Sequence, residues 1–120
     1  MNDDKLLKAF ALLGAALDAS AADPEDALGQ AALAKTFEST FEYVWRHFKR
    51  EADEAGLETY SPRDALKSAA QLRLIEDLEL WNQFLNARNL SVHDYVGMDQ
   101  AATLSIVRQF RDEVQRLIGD

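Results

Sequence analysis

The sequence predicts an all-α protein, an antiparallel helical bundle of about five helices. Every long segment places its apolar residues three or four apart, the spacing of one helix face. Helix start signals recur at Asp23-Pro24-Glu25-Asp26 and Ser61-Pro62-Arg63-Asp64, where a capping side chain precedes a proline in the first turn. The connections are short, and short links between amphipathic helices make antiparallel neighbours. No segment reads convincingly as a strand.

Helix 1 is expected from about Asp3 to Ala19, with Leu6, Phe10, Leu13 and Leu17 inward. Lys5 and Lys8 before an apolar run imitate a signal sequence, but Asp3 and Asp4 spoil its basic start, so an amphipathic helix is expected. Helix 2 runs from the Asp23-Pro24 signal to about Ala55, where Gly56 stops it. Its stripe is Leu33, Phe37, Phe41, Val44, Phe48, Ala52 and Ala55. Tyr43 and Trp45 fall off that stripe, which leaves two options, a dimer face or burial under helix 1 or 4. Ser61 caps a short helix 3 carrying Leu66, Ala69, Ala70 and Leu72. Asp77 caps helix 4, which holds Leu78, Trp81, Phe84 and Leu85 and ends near Arg88 or Asn89. Helix 5 runs from about Asp99 to Leu117 on a stripe of Thr103, Val107, Phe110, Val114 and Leu117.

The 120 residues fit one domain, expected to span 1–120. Thirteen Lys and Arg against 21 Asp and Glu give a formal net charge of -8. Such a balance disfavours a general nucleic-acid coat protein, whose affinity comes from neutralising phosphates, though a local basic cleft remains open. Lys49, Arg50, Arg46 and Arg73 are candidates for that rim. There is no cysteine, so disulfides, thiolate metal sites and thiol nucleophiles are excluded, and a reducing cytoplasm is the expected compartment. His47 and His93 lie far apart without a metal-binding pattern, and the five glycines form no phosphate loop or dinucleotide fingerprint, so no metal or cofactor is expected. No apolar run reaches the roughly 20 residues of a membrane span.

The densest chemistry is Arg88-Asn89-Leu90-Ser91-Val92-His93-Asp94-Tyr95. Arginine presents a planar fork that matches phosphate oxygens, and histidine moves protons near neutral pH. A cation beside a titratable base suits acid–base chemistry on a phosphodiester. On a straight helix, however, positions 88 and 93 differ by about 140° around the axis. They converge if the helix ends near Asn89 and the chain turns back, or if two copies meet. Alternatively, Arg88 and His93 are only cations favouring a helix C-terminus that Asn89 caps.

Three blocks resemble the HEPN domains, in the branch paired with minimal nucleotidyltransferases, some members of which are called nucleotidyltransferase substrate-binding proteins. The first is Phe37-Glu38-Ser39-Thr40-Phe41-Glu42-Tyr43-Val44-Trp45-Arg46. The second is Ser61-Pro62-Arg63-Asp64 with Leu74-Ile75-Glu76-Asp77 and Trp81. The third is the Arg88–Tyr95 segment, similar to the branch's arginine-x4-6-histidine motif extended to a tyrosine. Two departures are Arg46, where lysine is usual, and Arg73, where a small residue, often glycine, precedes the Leu-Ile pair.

The resemblance implies a homodimer with the third blocks lining a shared cleft. In active members that cleft performs metal-independent RNA cleavage, and the ribonuclease is a toxin neutralised by its cognate nucleotidyltransferase. Carried over, His93 transfers the proton, Arg88 holds the phosphate, and Asn89 orients substrate or His93. Tyr95 matches the residue the partner adenylylates in some pairs, a modification that would block RNA by charge and bulk. The expected partners are a second copy, the minimal nucleotidyltransferase and RNA, with no membrane. The alternatives are a non-catalytic substrate-binding subunit of a nucleotidyltransferase, and a plain dimeric scaffold that retains the fold.

Overall fold

The computed structural model describes residues 1, 3–94 and 99–119, with the side chains of 92–94 left aside. Five helices fill the described residues: α1 (Asp4–Ala22), α2 (Ala27–Glu54), α3 (Pro62–Gln71), α4 (Leu78–Asp94) and α5 (Gln100–Ile118). No strand occurs among them. The all-α bundle expected from periodicity is therefore the fold.

Local side-chain chemistry sets most helix starts. The Asp3 carboxylate accepts from the Lys5 and Leu6 amides and opens α1. Ser61 Oγ accepts from Asp64 N at 3.2 Å, Asp77 Oδ1 from Leu80 N at 3.0 Å and Asp99 Oδ1 from Ala102 N at 3.1 Å. Each supplies an acceptor for an amide that the first helical turn leaves unpaired. The start of α2 differs from expectation. Asp26, not Asp23, is the cap, accepting from Gly29 N at 3.2 Å. Asp23 instead closes α1, its amide donating to Ala19 O, and Pro24 lies in the turn between.

Two helix ends adopt the same left-handed stop. After α2, Gly56 has φ 80, and Leu57 N reaches back to Ala52 O at 2.9 Å. After α3, Arg73 has φ 61, and Leu74 N reaches back to Ala69 O at 2.8 Å. Both are Schellman motifs, a geometry that suits glycine because it carries no Cβ. Arg73 stands where the resemblance calls for a small residue, and its backbone angle gives the physical reason.

The 28-residue α2 is about 42 Å long and accounts for the molecule's 45 Å long axis. All four other helices pack on it. Phe48 meets Trp81 and Phe41 meets Arg88, so α2 and α4 run antiparallel. Trp81 and Phe84 likewise meet Phe110, tying α4 to α5. Phe110 is the hub, with Phe37, Phe41, Trp81 and Phe84 ring centroids within 5.9 Å, two of them at 5.1 and 5.3 Å. Three of these pairs are edge-on and the Phe41 pair is tilted, and edge-on pairs add to the burial of each ring. Most residues of the expected stripes are buried; Phe10, Ala70, Leu72, Leu78, Thr103 and Leu117 are half-buried and Ala55 is exposed. Tyr43 and Trp45 are half-buried against the core, and Trp45 Nε1 donates to Glu42 Oε2 at 2.8 Å.

Candidate functional site

The end of α4 corrects the sequence reading. Asn89 is not a terminal cap, because the helix continues through Asp94. Trp81, Phe84, Leu85, Arg88 and Ser91 form one helical stripe, and Ser91 is buried beside the bundle. That burial carries the helix past Asn89. Arg88 therefore occupies an inward position, mid-helix, and is not a cation set at a helix end. The possibility that the chain turns back at Asn89 to bring Arg88 and His93 together is excluded. Positions 88 and 93 belong to one helix, about 140° apart around its axis and about 7.5 Å along it.

Arg88 is half-buried at the α2–α4 seam, its Cζ 5.5 Å from the Phe41 ring centroid. A guanidinium at this distance is attracted by the face of the ring, more strongly where water is partly excluded. Its Nε–H is buried with no acceptor, and among the described residues the guanidinium makes no ion pair. Three other cations do pair, Arg46 with Glu42 at 2.9 Å, Lys49 with Asp53 at 3.0 Å and Arg116 with Glu113, each a local pair along one helix; what sets Arg88 apart is its half-buried place on Phe41. The Glu42–Arg46 pair has the i,i+4 spacing of a helix-surface ion pair. Glu42 also holds the Trp45 indole, so one carboxylate fixes two side chains of the first block.

A surface pocket of about 240 Å³ sits beside Arg88, lined also by Lys35, Glu38, Ser39, Glu42, Tyr43 and Arg46. The first and third sequence blocks meet here. Of the expected basic rim, Arg46 reaches this pocket, Arg50 lines a neighbouring one, Lys49 is paired, and Arg73 lines neither. Lys35 was missed, although it is eleven residues before Arg46 on the same helix, three turns back. Asn89 is exposed beside Arg88. His93 lies in the last turn of α4 by its backbone, its side chain outside the description, and Tyr95 lies outside the described residues altogether.

The neighbouring pocket, about 190 Å³, lies between the start of α1 and the later turns of α2. It is lined by Lys5, Tyr43, Arg46, His47 and Arg50, with Asp3, Met1 and Leu6. Burial, aided by the positive amino terminus and Arg50, holds the His47 imidazole below its usual pKa against the pull of Glu51 and Glu54. Among the described residues no group of three or more metal-ligating side chains comes together, and no helix is long and apolar enough to cross a membrane.

The chain is thus an all-helical bundle in which a half-buried arginine, without an ion pair among the described residues, lines a polar surface pocket. The family model described as nucleotidyltransferase substrate binding protein like matches residues 2–119, and the chain belongs to that family. No curated protein matches the chain.

Proposed function

We propose that residues 1–120 act as one HEPN-like domain, a cytoplasmic ribonuclease toxin that works as a homodimer and is neutralised by a cognate minimal nucleotidyltransferase. The observation that carries this reading is the Arg88 guanidinium, half-buried on Phe41 and without a carboxylate partner among the described residues. Leaving a cation so placed without a counter-charge is costly, and an anionic ligand would offset the cost. A phosphate fits its fork.

In the proposed reaction His93 takes the proton of a ribose 2′-hydroxyl. The 2′ oxygen attacks the adjacent phosphorus, and the bond to the 5′ oxygen breaks. The leaving oxygen takes up a proton, giving a 2′,3′-cyclic phosphate and a 5′-hydroxyl. Arg88 balances the charge that grows on the phosphate oxygens, and Asn89 orients the strand by hydrogen bonds. Because positions 88 and 93 do not share a helix face, each functional pair is drawn from two copies. Tyr95, one residue past α4, is the candidate for adenylylation. Nucleotide phosphates added there would compete for Arg88.

The test is incubation of the purified chain with end-labelled RNA in the presence of a chelator. Cleavage to cyclic-phosphate ends, abolished by Arg88→Ala and by His93→Ala, is the expected result. Cleavage that survives His93→Ala contradicts the reading. The family's description favours one second reading, a non-catalytic subunit that presents substrate to a nucleotidyltransferase. That reading expects no RNA cleavage and a change in transferase activity when the two proteins are combined.

A further inference from the structure

We propose that a single RNA strand runs beyond the Arg88 pocket, along α2, into the second cationic pocket built by Lys5, Arg46, His47 and Arg50. This rests on the ribonuclease reading above and names the path of its substrate. The two pockets adjoin, because Tyr43 and Arg46 line both. Residues 35, 39, 42, 43, 46 and 50 repeat at helical spacing on one face of α2, a track about 22 Å long. Arg88 of α4 flanks one end and Lys5 of α1 the other.

Charge along this track runs against the rest of the chain. Its cations are Lys5, Lys35, Arg46, Arg50 and Arg88, and its carboxylates are Asp3, Glu38 and Glu42. Five against three is net positive, on a chain of net charge -8. Glu42 and Arg46 offset each other as a pair, which leaves four cations against Asp3 and Glu38. Asp3 accepts the first amides of α1, and Glu42 accepts from Trp45 and pairs with Arg46. A locally positive groove on an acidic protein concentrates a polyanion at that groove and repels it elsewhere. Tyr43 and His47 interleave with the cations. Flat rings set among positive side chains are what single-stranded nucleic acid uses, its bases stacking while its phosphates pair. Double-stranded RNA would instead span two successive grooves of a rigid helix, which a 22 Å track of alternating rings and cations suits poorly.

The experiment uses the full chain carrying His93→Ala, which removes the proposed proton-transfer residue so that binding is read alone. Affinity for a fluorescent single-stranded RNA of about eight nucleotides is followed by anisotropy over a salt series. The double variant Lys5→Ala/Arg50→Ala is expected to bind about tenfold more weakly, with a salt slope shallower by about 0.7 for each lost contact. Lys67→Ala, the same loss of one charge as either groove substitution alone but at an exposed α3 position lining neither pocket, is expected to change little. Circular dichroism checks that the variants stay helical. An unchanged affinity and slope in the double variant, with Arg88→Ala still weakening binding, overturns the extended track and leaves the ribonuclease reading standing. Equal losses from Lys67→Ala and from either groove substitution overturn it too, since only bulk charge would then matter. If Arg88→Ala has no effect, or no RNA binds at all, both readings fall.

Discussion

The guanidinium carbon of Arg88 lies 5.5 Å above the ring of Phe41, across the seam between α4 and α2. Phe41 is fully buried, so the ring is a fixed floor and the arginine is held over it by packing. The fork geometry, not only the charge, is then what the pocket presents. Arg88→Lys is expected to lose most RNA affinity while keeping its charge, because an ammonium lacks the planar donors and stacks less well. Phe41→Leu is expected to lower stability by about 1–2 kcal/mol and to weaken RNA binding through the loosened arginine. Urea unfolding and anisotropy measure the two effects separately.

The two left-handed helix stops give stability predictions of opposite sign. Arg73→Gly is expected to stabilise the protein by about 0.5–1 kcal/mol, relieving the steric cost of a side chain at φ 61. Gly56→Ala is expected to cost about 1 kcal/mol. A Cβ there meets nothing within 4 Å, so the cost is purely conformational. Chemical denaturation of the two variants checks both signs.

Most of the fold was legible because its signals are local. Ser61, Asp77 and Asp99 cap the helices they precede, and each needs only its own next three residues to do so. The end of α4 was not legible. Asn89 imitates a cap, whereas the helix is continued by burial of Ser91 against the bundle, a tertiary effect at a residue that carries little hydrophobic signal. The spacing of Trp81, Phe84, Leu85 and Arg88 did hold the information that Arg88 faces inward, in a position where arginine is seldom found. The pocket itself was hidden for a different reason. It joins Lys35 and Arg46 to Arg88, and only the antiparallel packing of α2 on α4 brings them together.

Ser61→Ala is expected to cost about 1 kcal/mol, since the Asp64 amide then loses its acceptor at the first turn of α3. Ser61→Asp is expected to restore most of that loss. Thermal unfolding of the pair compares them directly.

His47 makes stability depend on pH in one direction. Its folded pKa is lowered, so below the ordinary value near 6.5 the unfolded chain binds more protons than the folded one. Stability is therefore expected to fall as pH drops through about 6.5 and to level off once the folded imidazole is also protonated. The groups acting on it are Arg50 and the amino terminus, which lower its pKa, and Glu51 and Glu54, which raise it. His47→Gln is expected to flatten the curve over that range. An identical slope in the variant would locate the pH dependence elsewhere.

The central claim is that Arg88 of one copy works with His93 of another, because one continuous helix sets the two positions about 140° apart. The most direct measurement mixes Arg88→Ala and His93→Ala chains by co-expression and assays RNA cleavage. Each variant alone is expected to be inactive. A mixed dimer contains one site with both residues intact and one with neither, so cleavage is expected to return to a fraction of the wild-type rate. A mixture as inactive as its components, beside a wild-type chain that cleaves, contradicts the account.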